Sequence, residues 1–121
     1  MIQGLRTVVY PVSDIAAGKA WYSKVLEKAP YFDEAFYVGF EVGGFELGLI
    51  PDAASSVDGP LAYWGAPDAA AELKRLESLG AKVIDPAHDV GGGIFVASVA
   101  DPFGNCFGII QNPHFSREKV Q

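Results

Sequence analysis

The chain has 121 residues, of which 50% are apolar, 20% charged and 12% aromatic, enough for one domain with a real core and too apolar for a disordered chain. Fifteen acidic residues against nine basic ones give a net charge of −6. That is the wrong balance for a surface that neutralises phosphate, so nucleic acid is not an expected partner, and no apolar run approaches the roughly 20 residues of a bilayer span.

Residues 4–12 are rich in β-branched and aromatic types and predict a strand, with Pro11 placing its end at an edge or bulge. Asp14 is a helix N-cap. Ile15, Ala17, Ala20, Trp21, Tyr22, Val25 and Leu26 then share one helical face, with Gly18 and the lysines opposite, until Pro30 ends the helix. Residues 31–36 read as a short strand or extended loop. Tyr37–Val42 and Phe45–Ile50 are strands joined at Gly43-Gly44, a two-residue turn whose positions both need positive φ. Residues 51–59 are small and polar and form a linker.

The order then repeats. Leu61–Trp64 is a strand, Asp68 caps a helix with Ala69, Leu73, Leu76 and Leu79 on its buried stripe, and Gly80 stops it. Val83-Ile84 belongs to a short strand, and His88 and Asp89 fall in the loop after it. Gly91-Gly92-Gly93 is a turn, Ile94–Val99 a strand, Asp101-Pro102-Phe103-Gly104-Asn105 a second turn, and Cys106–Gln111 the last strand. Each half reads strand–helix–strand–strand–strand. The second starts about 53 residues after the first, which sets Tyr10 against Tyr63. The opening residues, Met1-Ile2-Gln3-Gly4-Leu5-Arg6, do not read as a signal peptide, and the single cysteine, Cys106, has no partner for an internal disulfide, so a cytoplasmic setting is expected.

Val12-Ser13-Asp14 leading into Trp21-Tyr22 and Leu26, then Gly44-Phe45-Glu46-Leu47, Ala62-Tyr63 and Asp101-Pro102-Phe103-Gly104-Asn105, resemble the glyoxalase/bleomycin-resistance/extradiol-dioxygenase (vicinal oxygen chelate) superfamily over residues 4–113. The resemblance implies an α+β fold. Two βαβββ modules would form a curved, cup-shaped mixed sheet with helices on its outer face, in a single domain over residues 1–121. Module one would span about 4–50 and module two about 60–113. The resemblance also implies a divalent metal in the cup, held by His or Gln on the first strand and Glu on the last strand of each module. Those positions match Thr7, Glu46, Pro60 and Gly108. Only Glu46 carries a strong ligand, so no metal and no cofactor are expected.

Strand alternation assigns the cup's lining. Thr7, Tyr37, Gly39, Glu41, Glu46 and Gly48 face inward in module one. Ala62, Trp64, Val96, Ser98, Cys106, Gly108 and Ile110 do so in module two, leaving Leu61 and Tyr63 for the core. Glu46 is the candidate catalytic base, or the acceptor for an amine or hydroxyl. Tyr37 and Trp64 are candidates to stack on a planar ligand, Thr7 and Ser98 to donate hydrogen bonds, and Gly108 to make room. Glu41 is read as a solvated rim residue that repels Glu46, and Cys106 as a small buried hydrophobe. The expected function is metal-free binding of a small organic molecule by a homodimer. The alternatives are a lyase, isomerase or dioxygenase-type enzyme, using Glu46 as base or a metal through other ligands, and a plain interaction domain.

Overall fold

A computed structural model describes Met1, Gln3, residues 5–57, residues 61–116 and Glu118. The readings placed on Gly4 and Pro60 fall outside the described residues. The elements are β1 (Thr7–Pro11), α1 (Ile15–Leu26), β2 (Phe32–Glu34), β3 (Tyr37–Val42), β4 (Phe45–Ile50), β5 (Tyr63–Gly65), α2 (Ala69–Ser78), β6 (Lys82–Asp89), β7 (Phe95–Ala100) and β8 (Cys106–Gln111). They form two βαβββ modules. Each carries a four-stranded mixed sheet, ordered β1-β4-β3-β2 and β5-β8-β7-β6. The first strand of each module runs parallel to the last, and the remaining pairs are antiparallel. The helices cover one face of each sheet, and the other faces form an open, curved cup.

Both helices start where an aspartate closes their first turn. Asp14 accepts from the Ala17 N–H and Asp68 from the Ala71 N–H, each at 3.1 Å. Helix α1 stops at Leu26, before Pro30, because Glu27 turns into the left-handed region at φ 57° and its N–H bonds the Ser23 carbonyl. The predicted helical face needs one correction. Gly18 is buried and Ala17 and Ala20 are exposed, because α1 crosses the end of β1 at Gly18. A Cβ there would lie 2.9 Å from Val12 Cγ2. Gly43 and Gly44 turn the β3–β4 hairpin at φ 59° and 93°, as expected.

Strand β6 runs well past Val83-Ile84. It carries Pro86, His88 and Asp89 along the sheet edge, with register shifts between Val83 and Asp85 and between Asp85 and His88. Edge strands and bulges are where a proline is tolerated.

The modules share one core. Tyr10 stacks on Tyr22 at 5.9 Å, and both rings reach Phe107 of the second module at 6.2 and 6.0 Å. Polar links reinforce the contact. Trp21 Nε1 donates to the Leu79 carbonyl at 2.7 Å, Asn105 Nδ2 to the Pro11 carbonyl at 2.7 Å, and Tyr22 Oη to Asp101 Oδ2 at 2.6 Å. Burying each of these aromatic side chains contributes about 2–3 kcal/mol.

The internal symmetry is clearest in the hydrogen bonds. The Val12 N–H bonds the Ile50 carbonyl at 2.8 Å, and the Ala66 N–H bonds the Ile110 carbonyl at 2.9 Å. Asp68 therefore repeats Asp14, and Trp64, not Tyr63, repeats Tyr10. A one-residue slip inverts every facing on a strand, so the assignments on β5 are corrected. Trp64 points to the helices, where Nε1 donates to Tyr10 Oη at 3.0 Å and the ring stacks on Phe107. Leu61 and Tyr63 stand on the cup side against Gly108.

Candidate functional site

In module one the parallel register sets Thr7 beside Glu46, and the antiparallel register sets Gly39 beside Gly48. The two glycines leave a trough across the sheet. Tyr37 lies in it, so that a Cβ on Gly48 would overlap its hydroxyl. From there Tyr37 Oη donates to Glu46 Oε2 in a short hydrogen bond. Burial holds the phenol above its ordinary pKa, so it stays a neutral donor at physiological pH. Oε1 of Glu46 accepts no hydrogen bond among the described residues. Phe32 packs edge-on to Tyr37 at 6.1 Å, and Phe36 edge-on to Phe32 at 6.1 Å. The result is an oriented carboxylate with one free oxygen and an aromatic wall. Val9, 45% exposed, adds apolar surface beside Gly48.

Glu41 is the cross-strand neighbour of Glu46. Its carboxylate accepts from Lys28 Nζ at 3.0 Å and from the Gly44 N–H at 2.6 Å. A lysine and a turn amide thus offset the repulsion expected between the two glutamates.

The inward facings assigned to β7 and β8 are seen in the register. Ser98 pairs with Gly108, Val96 with Ile110 and Ala100 with Cys106, while Ala97, Val99, Phe107 and Ile109 join the core under the helices. Ser98 and Cys106 are buried. Burial pushes the Cys106 thiol up, against a hydrogen bond from Ser98 that opposes it, so the thiol is a poor nucleophile and a poor metal ligand. Gly108 opens no room for a guest. A Cβ there would lie 2.6 Å from the Ala62 carbonyl and 2.8 Å from Tyr63 Cδ1, because residues 61–63, leading into the neighbouring strand β5, occupy the space.

His88, expected in a loop, and Asp85, not singled out by the sequence, both stand on β6. Asp85 is set opposite Ser98 and His88 opposite Val96, with His88 Nδ1 3.6 Å from Asp85 Oδ1. His88 donates from Nδ1 to the Pro86 carbonyl at 2.8 Å. The bulges around Pro86 hide this pair, because they break the alternation that would reveal it. His114 fastens the tail through Nε2 to the Gly92 carbonyl at 2.7 Å.

The module symmetry also locates the metal positions that the family resemblance implies. Gly108 bonds the Ala62 carbonyl and pairs with Tyr63, which makes it the repeat of Gly48. The repeats of Thr7 and Glu46 are therefore Leu61 and Cys106, rather than Pro60 and Gly108. A hydroxyl, one carboxylate, a hydrocarbon and a buried protonated thiol do not form a divalent-cation donor set. Among the described residues no three of His, Cys, Asp and Glu come together in a metal-binding group.

The family model for the Glyoxalase/Bleomycin resistance protein/Dioxygenase superfamily matches residues 4–109. No curated protein sequence matches the chain. Among solved structures, a glyoxalase-related enzyme from Fulvimarina pelagi is 21% identical with a TM-score of 0.76, over 93% of this chain and 90% of that one. A lactoylglutathione lyase from Agrobacterium tumefaciens is 21% identical with a TM-score of 0.71, over 91% and 94%. A glyoxalase/bleomycin resistance protein from Albidiferax ferrireducens T118 is 16% identical with a TM-score of 0.72, over 88% and 97%. At these identities the likeness is one of fold.

Proposed function

Since the chain belongs to the glyoxalase/bleomycin resistance protein/dioxygenase superfamily, we propose that its cup binds a small organic molecule without a metal, through an amine or hydroxyl placed on Glu46. The observation that carries this reading is the Tyr37–Glu46 hydrogen bond over the Gly39–Gly48 trough. One carboxylate oxygen is fixed by a half-buried phenol, and the other remains to accept from a ligand. Phe32 and Val9 supply an apolar wall, as small-molecule sites require. The Thr7 hydroxyl, on the residue paired with Glu46, offers a further donor or acceptor. Trp64 drops out of this site because it faces the helices.

The donor set at Thr7, Glu46, Leu61 and Cys106 does not fit the divalent metal of the superfamily, so no step is routed through one. The second reading is an enzyme in which Glu46 takes a proton. The same free oxygen that would accept a hydrogen bond could act as a general base in a lyase- or isomerase-type step.

The remaining elements of the proposal are a homodimer and a cytoplasmic setting. Tyr31 and Phe36, 65% and 67% exposed, provide apolar surface for a second copy, and the lone free Cys106 fits a reducing compartment.

The test is a thermal-shift screen of aromatic amines and alcohols, followed by calorimetric titration of the hits. Glu46→Gln should weaken binding at least tenfold, and Tyr37→Phe several-fold. Hits whose affinity is indifferent to both substitutions would contradict the reading. Turnover of any hit that vanishes in Glu46→Gln would favour the enzyme.

A further inference from the structure

The open oxygen of Glu46 has defined surroundings. A Cβ built on Gly39 would lie 3.3 Å from Glu46 Oε1 and 3.2 Å from Tyr37 Cε2, so the oxygen and the phenol ring both stand over Gly39. Phe32 is the cross-strand partner of Gly39. Its ring lies 6.1 Å from that of Tyr37 and 6.1 Å from that of Phe36. Among the described residues Glu46 enters no ion pair. The lysines that reach β2 and β3 are committed, Lys19 to Asp33 and Lys28 to Glu41, each at 3.0 Å. The chain's net charge of −6 also favours the approach of a cation.

A carboxylate oxygen walled by aromatic rings selects its guest by chemistry. A cation within about 6 Å of a ring centroid is attracted by the negative face of the ring, and aromatic walls recognise alkylated ammonium groups in this way. A neutral hydroxyl donates to Oε1 but gains nothing from the charge of the rings. A primary ammonium brings three N–H groups, and those turned toward the rings lose water without a partner. A tertiary ammonium brings one N–H for the one open oxygen and sets alkyl carbon against the rings. We infer that the guest of the cup carries a protonated tertiary amine, with its N–H on Glu46 Oε1 and its alkyl groups against Tyr37 and Phe32. The inference rests on the proposed role of Glu46 as the ligand's anchor, and it narrows the amine or hydroxyl of that reading to one class.

The test is calorimetric titration of the full-length chain at neutral pH and low salt with N,N-dimethylbenzylamine, benzylamine and benzyl alcohol, which share a ring and differ at the polar atom. The tertiary amine should bind about tenfold tighter than the alcohol and several-fold tighter than the primary amine. Phe32→Leu, at a position 39% exposed, should weaken the tertiary amine several-fold and leave the alcohol unchanged, since only the cation draws on the ring. Glu46→Gln should abolish the amine's advantage over the alcohol. If the alcohol or the primary amine binds as tightly as the tertiary amine, and that binding is still lost in Glu46→Gln, the inference is overturned while the reading of the cup stands. Binding of all three that is indifferent to Glu46→Gln would overturn both. No measurable binding of the tertiary amine at millimolar concentration would overturn the inference alone.

Discussion

Tyr22 of the first module donates its hydroxyl to Asp101 Oδ2 of the second at 2.6 Å, inside the core. The other carboxylate oxygen, Oδ1, accepts from the Phe103 and Asn105 N–H groups at 2.9 and 2.8 Å, and Asn105 Nδ2 adds a bond to Oδ2 at 3.0 Å. Asn105 Nδ2 also reaches the Pro11 carbonyl at 2.7 Å. The Asp101–Asn105 turn, the most specific piece of the family resemblance, thus works as a latch between the modules rather than as part of the cup. A buried carboxylate must be fully hydrogen-bonded to be tolerated, and this one has four donors.

Tyr22→Phe should therefore destabilise the chain by about 2 kcal/mol, the usual worth of a hydrogen bond to a charged group. It should leave the affinity of cup ligands within a few-fold. Urea unfolding measures the first and calorimetric titration the second. A loss of ligand binding in a folded Tyr22→Phe protein would place the turn in the site after all.

The same core makes stability sensitive to alkali. Burial, the largest cause, raises Tyr10 from 10.0 to about 12, and burial together with the Asp101 charge holds Tyr22 well above 10.0. Both phenols keep their protons better folded than unfolded. The stability linked to them is fully present below pH 10 and is lost as pH rises toward and through 12. For Tyr10 alone this amounts to about 3 kcal/mol. Unfolding free energy measured from pH 9 to 12 should fall, and the fall should be shallower in Tyr10→Phe. A flat profile above pH 10 would contradict the buried placement of both rings.

Gly48 of β4 and its repeat in the second module, Gly108 of β8, should differ in what they tolerate. A Cβ at Gly48 meets the far end of the Tyr37 side chain, whereas one at Gly108 meets the Ala62 carbonyl. A side chain can swing away and backbone cannot. Gly48→Ala should cost about 1 kcal/mol, chiefly the lost Tyr37–Glu46 bond, and Gly108→Ala about 3 kcal/mol. In a Tyr37→Ala background the Gly48→Ala cost should nearly vanish, a non-additivity that a double-mutant cycle reads directly. Additive costs would mean that Tyr37 does not lie over Gly48.

Local chemistry was legible from residue types alone. The Asp14 and Asp68 caps, the Gly43-Gly44 turn and the Asp101 turn each depend on a few neighbouring residues, and each stands where the residues predict it. Features set by partners distant in the chain were not legible. Periodicity sets Gly18 on the outer face with the lysines, but it sits inside because Val12 arrives beneath it. The facing of Trp64 turned on aligning the halves by their tyrosines rather than by their capping aspartates, one residue apart. The Tyr37–Glu46 pair needed the Gly39–Gly48 register. Its one visible signal was the presence of glycine at facing positions of two strands, where glycine otherwise weakens a sheet.

The central claim is that Glu46 serves an organic ligand and not a cation. Elemental analysis of protein purified without chelator, set beside Glu46→Gln, tests it most directly. The account predicts far less than one equivalent of any transition metal in either protein. Stoichiometric zinc, nickel, manganese or iron that disappears in Glu46→Gln would contradict it.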